Sequence, residues 1–215
     1  MSATRLLATV HRGTAFEERA LRVLQNTLSM TLKRVGGKSD GGVDLMGWWW
    51  LPSSDFDPSA ATTGTEHFSQ RRRIRVLGQC KAEKKKASPN YVRELEGVLH
   101  RHLAAAADQP LVALFVSESP FTKSTLLRAQ SSPVPFFLLH LPPEEEGEDP
   151  KNGIGSAVWN PALAGAQGLL EGKIDARWER STSGVGRPGL WWGAYRLPSW
   201  TPDATPVEND DFRVE

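Results

Sequence analysis

Asp44, Gln79 and Lys81 are the residues of this chain whose types and spacing point most directly to chemistry. Asp44 follows the turn Ser39-Asp40-Gly41-Gly42 and opens an apolar stretch. Gln79 and Lys81 stand two apart in a run that reads as a strand, so both side chains belong to one face. A carboxylate, an amide oxygen and an ammonium group at one point suit hydrolysis of a phosphodiester. That reaction needs an activated water and relief of charge on the phosphate, and a divalent ion supplies both. Mg²⁺ prefers oxygen ligands and keeps several waters, so one or two protein carboxylates suffice. On this reading Asp44 and the Gln79 side chain, or a neighbouring backbone oxygen, hold the ion. Lys81 orients or helps deprotonate the water, or steadies the phosphate. Plainer readings stand beside these: Asp44 as the residue closing the Gly41-Gly42 turn, and Gln79 and Lys81 as exposed strand residues. Asp40 reads first as a turn residue and second as extra negative charge.

The surrounding elements must bring these residues together. Phe16, Ala20, Val23, Leu24 and Leu28 recur at helical spacing and predict a helix over about residues 14–31. Thr14 and Glu17 fit a capping box at its start. Lys33-Arg34-Val35 reads as a short strand, and residues 43–51 as a longer one ended by Pro52. Residues 53–70 form a polar loop of unusual length, an insertion among the 34 positions between Asp44 and Gln79. The next strand covers residues 71–82, with Ile74, Val76, Gly78 and Cys80 on one face and Arg73, Arg75, Leu77, Gln79 and Lys81 on the other. If the two long strands pair antiparallel, Asp44 at the start of one meets Gln79 at the end of the other. Ser88-Pro89 starts a helix whose stripe is Val92, Leu95, Leu99 and Leu103. Buried strands at 111–116 and 135–141 flank a short helix at 122–129. The fold class is α/β: a mixed central sheet with helices on its faces, covering residues 1–141. Residues 142–215 read as an acidic loop and an extension, packed on that core, that carries Trp159, Trp178, Trp191, Trp192 and Trp200.

Composition sets outer limits. A chain of 215 residues is one domain of ordinary size, long enough to bury a core. Its single cysteine, Cys80, excludes an internal disulfide and a multi-cysteine zinc site, and reads as a core residue. No apolar run approaches the roughly 20 residues that span a bilayer, so membrane insertion is not expected. Residues 1–13 hold two arginines, a histidine and no acid, a transit-peptide-like composition in a short segment. Net charge is only +1, but residues 71–86 hold eight basic residues and one acid, Glu83. Arg71, Arg73, Arg75, Lys84, Lys85 and Lys86, with Arg93 on the following helix, are candidate DNA contacts; the same runs also read as solvated faces. Trp48 and Trp50 share the face of Asp44 by alternation. Packing explains them more simply than a base-stacking platform does.

The string Gly13-x-x-Phe16-Glu17, then Gly37-Lys38-Ser39-Asp40-Gly41-Gly42-Val43-Asp44-Leu45, then Gln79-Cys80-Lys81, resembles the Mrr-like branch of the PD-(D/E)xK, restriction-endonuclease-like superfamily, a branch related to archaeal Holliday-junction resolvases. Residues 111–123 resemble the strand and helix that follow that core. Gln79-Cys80-Lys81 with Pro89 and Val92-Arg93-Glu94-Leu95-Glu96-Gly97 is most similar to a fungal mitochondrial family required for respiratory growth. The resemblance covers roughly residues 13–141. It implies a four-stranded mixed sheet, a Mg²⁺ or Mn²⁺ site and cleavage of DNA, with Asp44 as the metal aspartate, Lys81 as the catalytic lysine and Glu17 as the glutamate of the first helix. Gln79 departs from the commoner Glu or Asp; the branch often carries glutamine there, which weakens metal affinity more than it removes the site. The expectation is a metal-dependent DNA nuclease acting in mitochondria. Its rivals are a non-catalytic DNA-binding protein on the same fold, and a mitochondrial gene-expression or assembly factor that uses the tryptophan-rich extension. Oligomeric state is left open.

Overall fold

The structure, a computed structural model, describes residues 3–35, 42–53, 71–105, 109–143, 154–180 and 186–202. Asp40, nearly all of the 53–70 loop and Glu144 to Glu146 of the acidic loop lie outside the described residues.

The apolar stripe of the first helix is buried as its spacing demands: Ala20 and Leu24 are fully enclosed, and Phe16, Val23 and Leu28 nearly so. The helix, α1 (Ala3–Leu28), starts well before the expected position. Thr14 therefore lies inside it, and the Thr14–Glu17 capping box is corrected to an interior helical pair. Ser29, at φ 56°, takes the left-handed conformation that ends a helix, and β1 (Met30–Arg34) follows at once.

Five further strands join β1: β2 (Leu45–Pro52), β3 (Arg71–Lys81), β4 (Leu111–Ser117), β5 (Phe136–His140) and β6 (Ser156–Trp159). They form one six-stranded sheet in the order β1-β2-β3-β4-β5-β6. The first three strands are antiparallel neighbours, β3, β4 and β5 run parallel, and β6 returns antiparallel to β5. Parallel neighbours need crossovers, which α2 (Pro89–Ala105) and α3 (Lys123–Gln130) provide. Thr122 caps α3 by accepting the Thr125 N–H.

Alternation along β3 divides the core in two. Ile74, Val76 and Cys80 pack with α1, whereas Leu77 packs with Val92, Leu95 and Leu99 of α2. On β2, Trp49 is fully buried and stacks on Phe137 at 5.6 Å between ring centres. Trp48, on the opposite face, is also buried, so packing accounts for both. Gly47 leaves no room for a side chain between β1 and β2: a Cβ there would meet the Thr31 carbonyl oxygen at 2.1 Å.

The sheet has six strands rather than four, and one of them, β6, comes from beyond residue 141. After it come α4 (Pro161–Ala164) and a three-stranded sheet of β7 (Ile174–Arg180), β8 (Gly186–Trp192) and β9 (Tyr195–Leu197). Ile174, Leu190 and Trp192 join the α1-side core, so the C-terminal residues share the interior of the main sheet. Asn160 ties them down. Its Oδ1 accepts the N–H groups of Phe136 and Leu163, and its Nδ2 donates to the carbonyls of Ala129, Ser132 and Val134.

Candidate functional site

Leu45 faces Gly78 in the last register step of the β2–β3 ladder. The Asp44 N–H also donates to the Gly78 carbonyl, at 2.9 Å, so two residues of one chain segment oppose a single residue of the other. This is the arrangement of a β-bulge, which re-aims a side chain. Alternation breaks accordingly: Val43 and Met46 both pack on the α2 side, and Leu45 on the α1 side. The sharing of a face by Asp44, Trp48 and Trp50 is thereby corrected. The Asp44 carboxylate turns toward β3, and its Oδ2 accepts the Cys80 N–H at 2.7 Å. Gly42, at φ +89°, supplies the left-handed turn leading in.

Gln79 lies against that turn, its Nε2 3.6 Å from where a Gly42 Cβ would stand. The residue is 4% exposed, and its Oε1 is buried with no hydrogen-bond partner. An unpaired buried amide oxygen costs about 1–3 kcal/mol. Lys81, two residues on, keeps the same face and is half-buried. Its Nζ sits 5.2 Å from the centre of the Tyr91 ring on α2. The Tyr91 hydroxyl donates to Glu83 Oε1 at 2.6 Å, and that bond, with lesser help from burial, pushes the phenol up to about 12.

Glu17 reaches the same region from α1 but is already engaged: its Oε2 accepts Arg34 Nε at 2.6 Å. The bond raises the Arg34 pKa, with smaller contributions from Glu18 and Asp44. Burial pushes the Cys80 thiol well up; Asp44 and Glu17 push it further, and Lys81 and Arg34 oppose them. The end of β3 therefore brings Glu17, Arg34, Asp44 and Lys81 within electrostatic reach of a buried thiol, with Gln79 the preceding residue of the strand. Arg34 and Tyr91 escaped the sequence reading. Arg34 showed only as part of a short strand, and Tyr91 carries no signal in the helix-start pattern around Pro89.

Among the described residues no group of three or more His, Cys, Asp or Glu converges to hold a metal. That excludes, for these residues, the donor set a structural zinc requires. The oxygen donors from β2 and β3 at this end of the sheet are the Asp44 carboxylate and the Gln79 amide, the kind a hard ion that keeps most of its waters takes. The unpartnered Gln79 oxygen is the observation that favours such a ligand.

The basic residues fall into two groups. Arg71 and Lys81 stand at opposite ends of β3, about 33 Å apart at ~3.3 Å per residue. Arg71 donates to the Trp50 carbonyl, lies 5.1 Å from the Trp200 ring and is lowered to about 10 by burial. Arg73 covers Trp48 at 4.3 Å. Arg75, read as a candidate phosphate contact, is buried and donates to the Met46 sulfur at 3.8 Å, which leaves little of it open to a ligand. Arg93 donates to Asn90 on its own helix. Lys84, Lys85 and Lys86 are exposed and directly follow the site end of β3.

Comparison with known proteins adds a family. Residues 8–163 match the family described as Required for respiratory growth protein 7. A Saccharomyces cerevisiae protein of that name, designated mitochondrial, is 28% identical over 167 residues, 66% of this chain and 69% of the relative. A Zygosaccharomyces rouxii protein of the same name is 28% identical over 157 residues, 62% of this chain and 65% of the relative. A Schizosaccharomyces pombe protein named as uncharacterized and mitochondrial is 38% identical over 91 residues, 42% of this chain but only 30% of its own length. No solved structure matches the chain. The mitochondrial location expected from the sequence agrees with the names of these relatives.

Proposed function

The chain belongs to the Required for respiratory growth protein 7 family, and from that membership and the geometry at the end of β3 we propose that it is a mitochondrial factor serving respiratory growth by acting on DNA, with Asp44, Gln79 and Lys81 forming a cation-dependent phosphodiester-cleaving site of the PD-(D/E)xK type. The observation that carries this reading is the buried, unpartnered Oε1 of Gln79, a side chain whose Nε2 lies against the turn that delivers Asp44. The mixed sheet, antiparallel from β2 to β3 and parallel from β3 to β4, supports it by placing the start of one strand beside the end of the next.

Asp44 and Gln79 would hold Mg²⁺ or Mn²⁺, which when bound supplies charge relief on the phosphate and a more acidic water. The chain does the rest. The Cys80 N–H fixes the Asp44 carboxylate in one orientation. The Tyr91 ring holds the Lys81 ammonium by cation–π attraction, so that it faces the water or phosphate without being lost to solvent. Arg34 neutralises Glu17 at the edge of the site. Lys84, Lys85 and Lys86 attract the DNA backbone.

A second reading keeps the fold and the DNA but not the cleavage. Gln79, standing where a carboxylate is commoner, favours it, and so do the relatives' names, which speak of respiratory growth and not of hydrolysis. In that reading the protein is a gene-expression or assembly factor. One assay separates the two: DNA incubated with Mg²⁺ or Mn²⁺ and wild type, Asp44→Asn or Lys81→Ala. Cleavage by wild type alone supports the nuclease. DNA binding without cleavage in all three supports the factor.

A further inference from the structure

The parallel strands β3, β4 and β5 end side by side, and the crevice outside such carboxyl ends is where open α/β sheets take ligands. A cleft of about 370 Å³ occupies that place. It is lined by Glu83 and Lys84 after β3, Glu118 and Ser119 after β4, His140 at the end of β5, and Arg12 of α1. The cleft adjoins the site described above, because the Glu118 N–H donates to the Lys81 carbonyl at 3.0 Å.

Its polar groups are unequally used. Arg12 and Glu118 form an ion pair and neutralise each other. Glu83 accepts the Tyr91 hydroxyl through its carboxylate and the Ser119 hydroxyl through its carbonyl. Lys84 is exposed and makes no ion pair among the described residues. His140 has an Nε2 that is buried and without a hydrogen-bond partner. The cleft thus offers one uncommitted ammonium, one unpaired ring nitrogen and apolar walls from Pro120, Pro142 and Pro143. Its volume exceeds what a phosphate ion alone would fill and lies in the range of small-molecule pockets.

We propose that this cleft is a nucleotide subsite: Lys84 takes a phosphate, His140 Nε2 takes a hydrogen bond from the attached nucleoside, and a strand leaving Lys81 places its neighbouring nucleotide here. The route past Lys81 rests on the proposed function; the binding of a nucleotide does not. The Glu118 backbone engages the His140 ring, but among the described residues no polar partner meets its Nε2, so a ligand that supplies one gains a buried hydrogen bond.

The test uses the full chain in EDTA, with dAMP, inorganic phosphate and deoxyadenosine as separate probes, followed by calorimetry and by chemical-shift changes. Wild type is expected to bind dAMP more tightly than either fragment. Lys84→Ala, an exposed change that leaves the fold intact, and His140→Leu, checked for folding by circular dichroism, should each weaken dAMP by about tenfold. Asp44→Asn should leave it unchanged. Absence of dAMP binding, binding indifferent to both variants, or phosphate binding as tightly as dAMP would each overturn the subsite. Retained dAMP binding in a protein that cleaves no DNA would sink the nuclease and leave the subsite standing. Cleavage without dAMP binding would do the reverse.

Discussion

The Asp44 carboxylate and the Cys80 N–H are joined at 2.7 Å, a bond that carries the β2–β3 pairing one step past its last backbone rung. The same carboxylate closes the sheet and, in the proposed site, would offer negative charge to a cation, so the two roles separate by substitution. Asp44→Asn keeps an oxygen for Cys80 and should change stability by less than about 1 kcal/mol, while Mn²⁺ binding is lost. Asp44→Ala leaves the Cys80 N–H unpaired and should cost about 1–3 kcal/mol as well. Urea melts paired with Mn²⁺ calorimetry read both. A Mn²⁺ affinity equal to wild type in Asp44→Asn would remove Asp44 from the site.

Gln79→Glu replaces an unpaired amide oxygen with a carboxylate. In the presence of Mn²⁺ affinity should rise, because a second acid strengthens a hard-ion site. Without metal the new charge is buried near Asp44 and should lower the melting temperature. Opposite signs in the two conditions are the signature. A fall in stability that Mn²⁺ does not repair would mean that no ion sits at this oxygen.

His140 has its pKa lowered below the ordinary 6.5, chiefly by burial, and the Glu118 backbone opposes the shift. A depressed folded value means the unfolded chain binds the proton more readily. The associated stability is present above about 6.5 and lost as pH falls through the lower folded value. His102, lowered by burial with Arg75 and Arg101 adding to it, acts in the same direction. Denaturation midpoints from pH 7.5 to 5 should therefore fall more steeply for wild type than for His140→Gln. Parallel curves would show that His140 titrates as it does in the unfolded chain.

Asn160 is 1% exposed and serves five backbone groups drawn from α3, the α3–β5 connection, β5 and α4. Asn160→Leu matches its size roughly but leaves those groups without their partner. The loss should be on the order of 3 kcal/mol or more, beyond the usual range for point changes. A loss under about 1 kcal/mol would mean that water or the chain re-satisfies them.

Lys84, Lys85 and Lys86 lie exposed beside the site, whereas Arg75 is buried at Met46. If DNA follows the lysines, replacing all three with alanine should reduce the log–log salt slope of binding by about 3, near one unit per phosphate. Arg75→Leu should leave the slope unchanged. A slope that responds to Arg75 and not to the lysines would move the DNA path to the other end of β3.

Much of this arrangement was legible in the order of residues. Helical spacing of Phe16, Ala20, Val23, Leu24 and Leu28 fixed the buried side of α1, because a 3.6-residue period leaves one stripe to cover. Alternation along β3 placed Gln79 with Lys81 and Cys80 opposite, since a strand has only two faces. The turn glycine before Asp44 announced a change of direction. The start of α1 was not legible: a capping box at Thr14 and an interior helical turn share the same residue types, and only the surroundings choose between them.

Sequence alone thus determined the buried stripe of α1, the two faces of β3, and that Asp44, Gln79 and Lys81 belong to one end of two strands. Tertiary structure decided what periodicity cannot encode. A bulge opposite Gly78 turned Asp44 toward the Cys80 amide, Arg34 crossed from β1 to take Glu17, and Tyr91 of α2 came over Lys81. It also carried β6 back to the central sheet and brought Ile174, Leu190 and Trp192 into its core. Local pattern fixes the direction of a side chain relative to its own backbone. Which distant backbone or charge meets it depends on how the whole apolar interior closes, and that is settled only when every element packs at once.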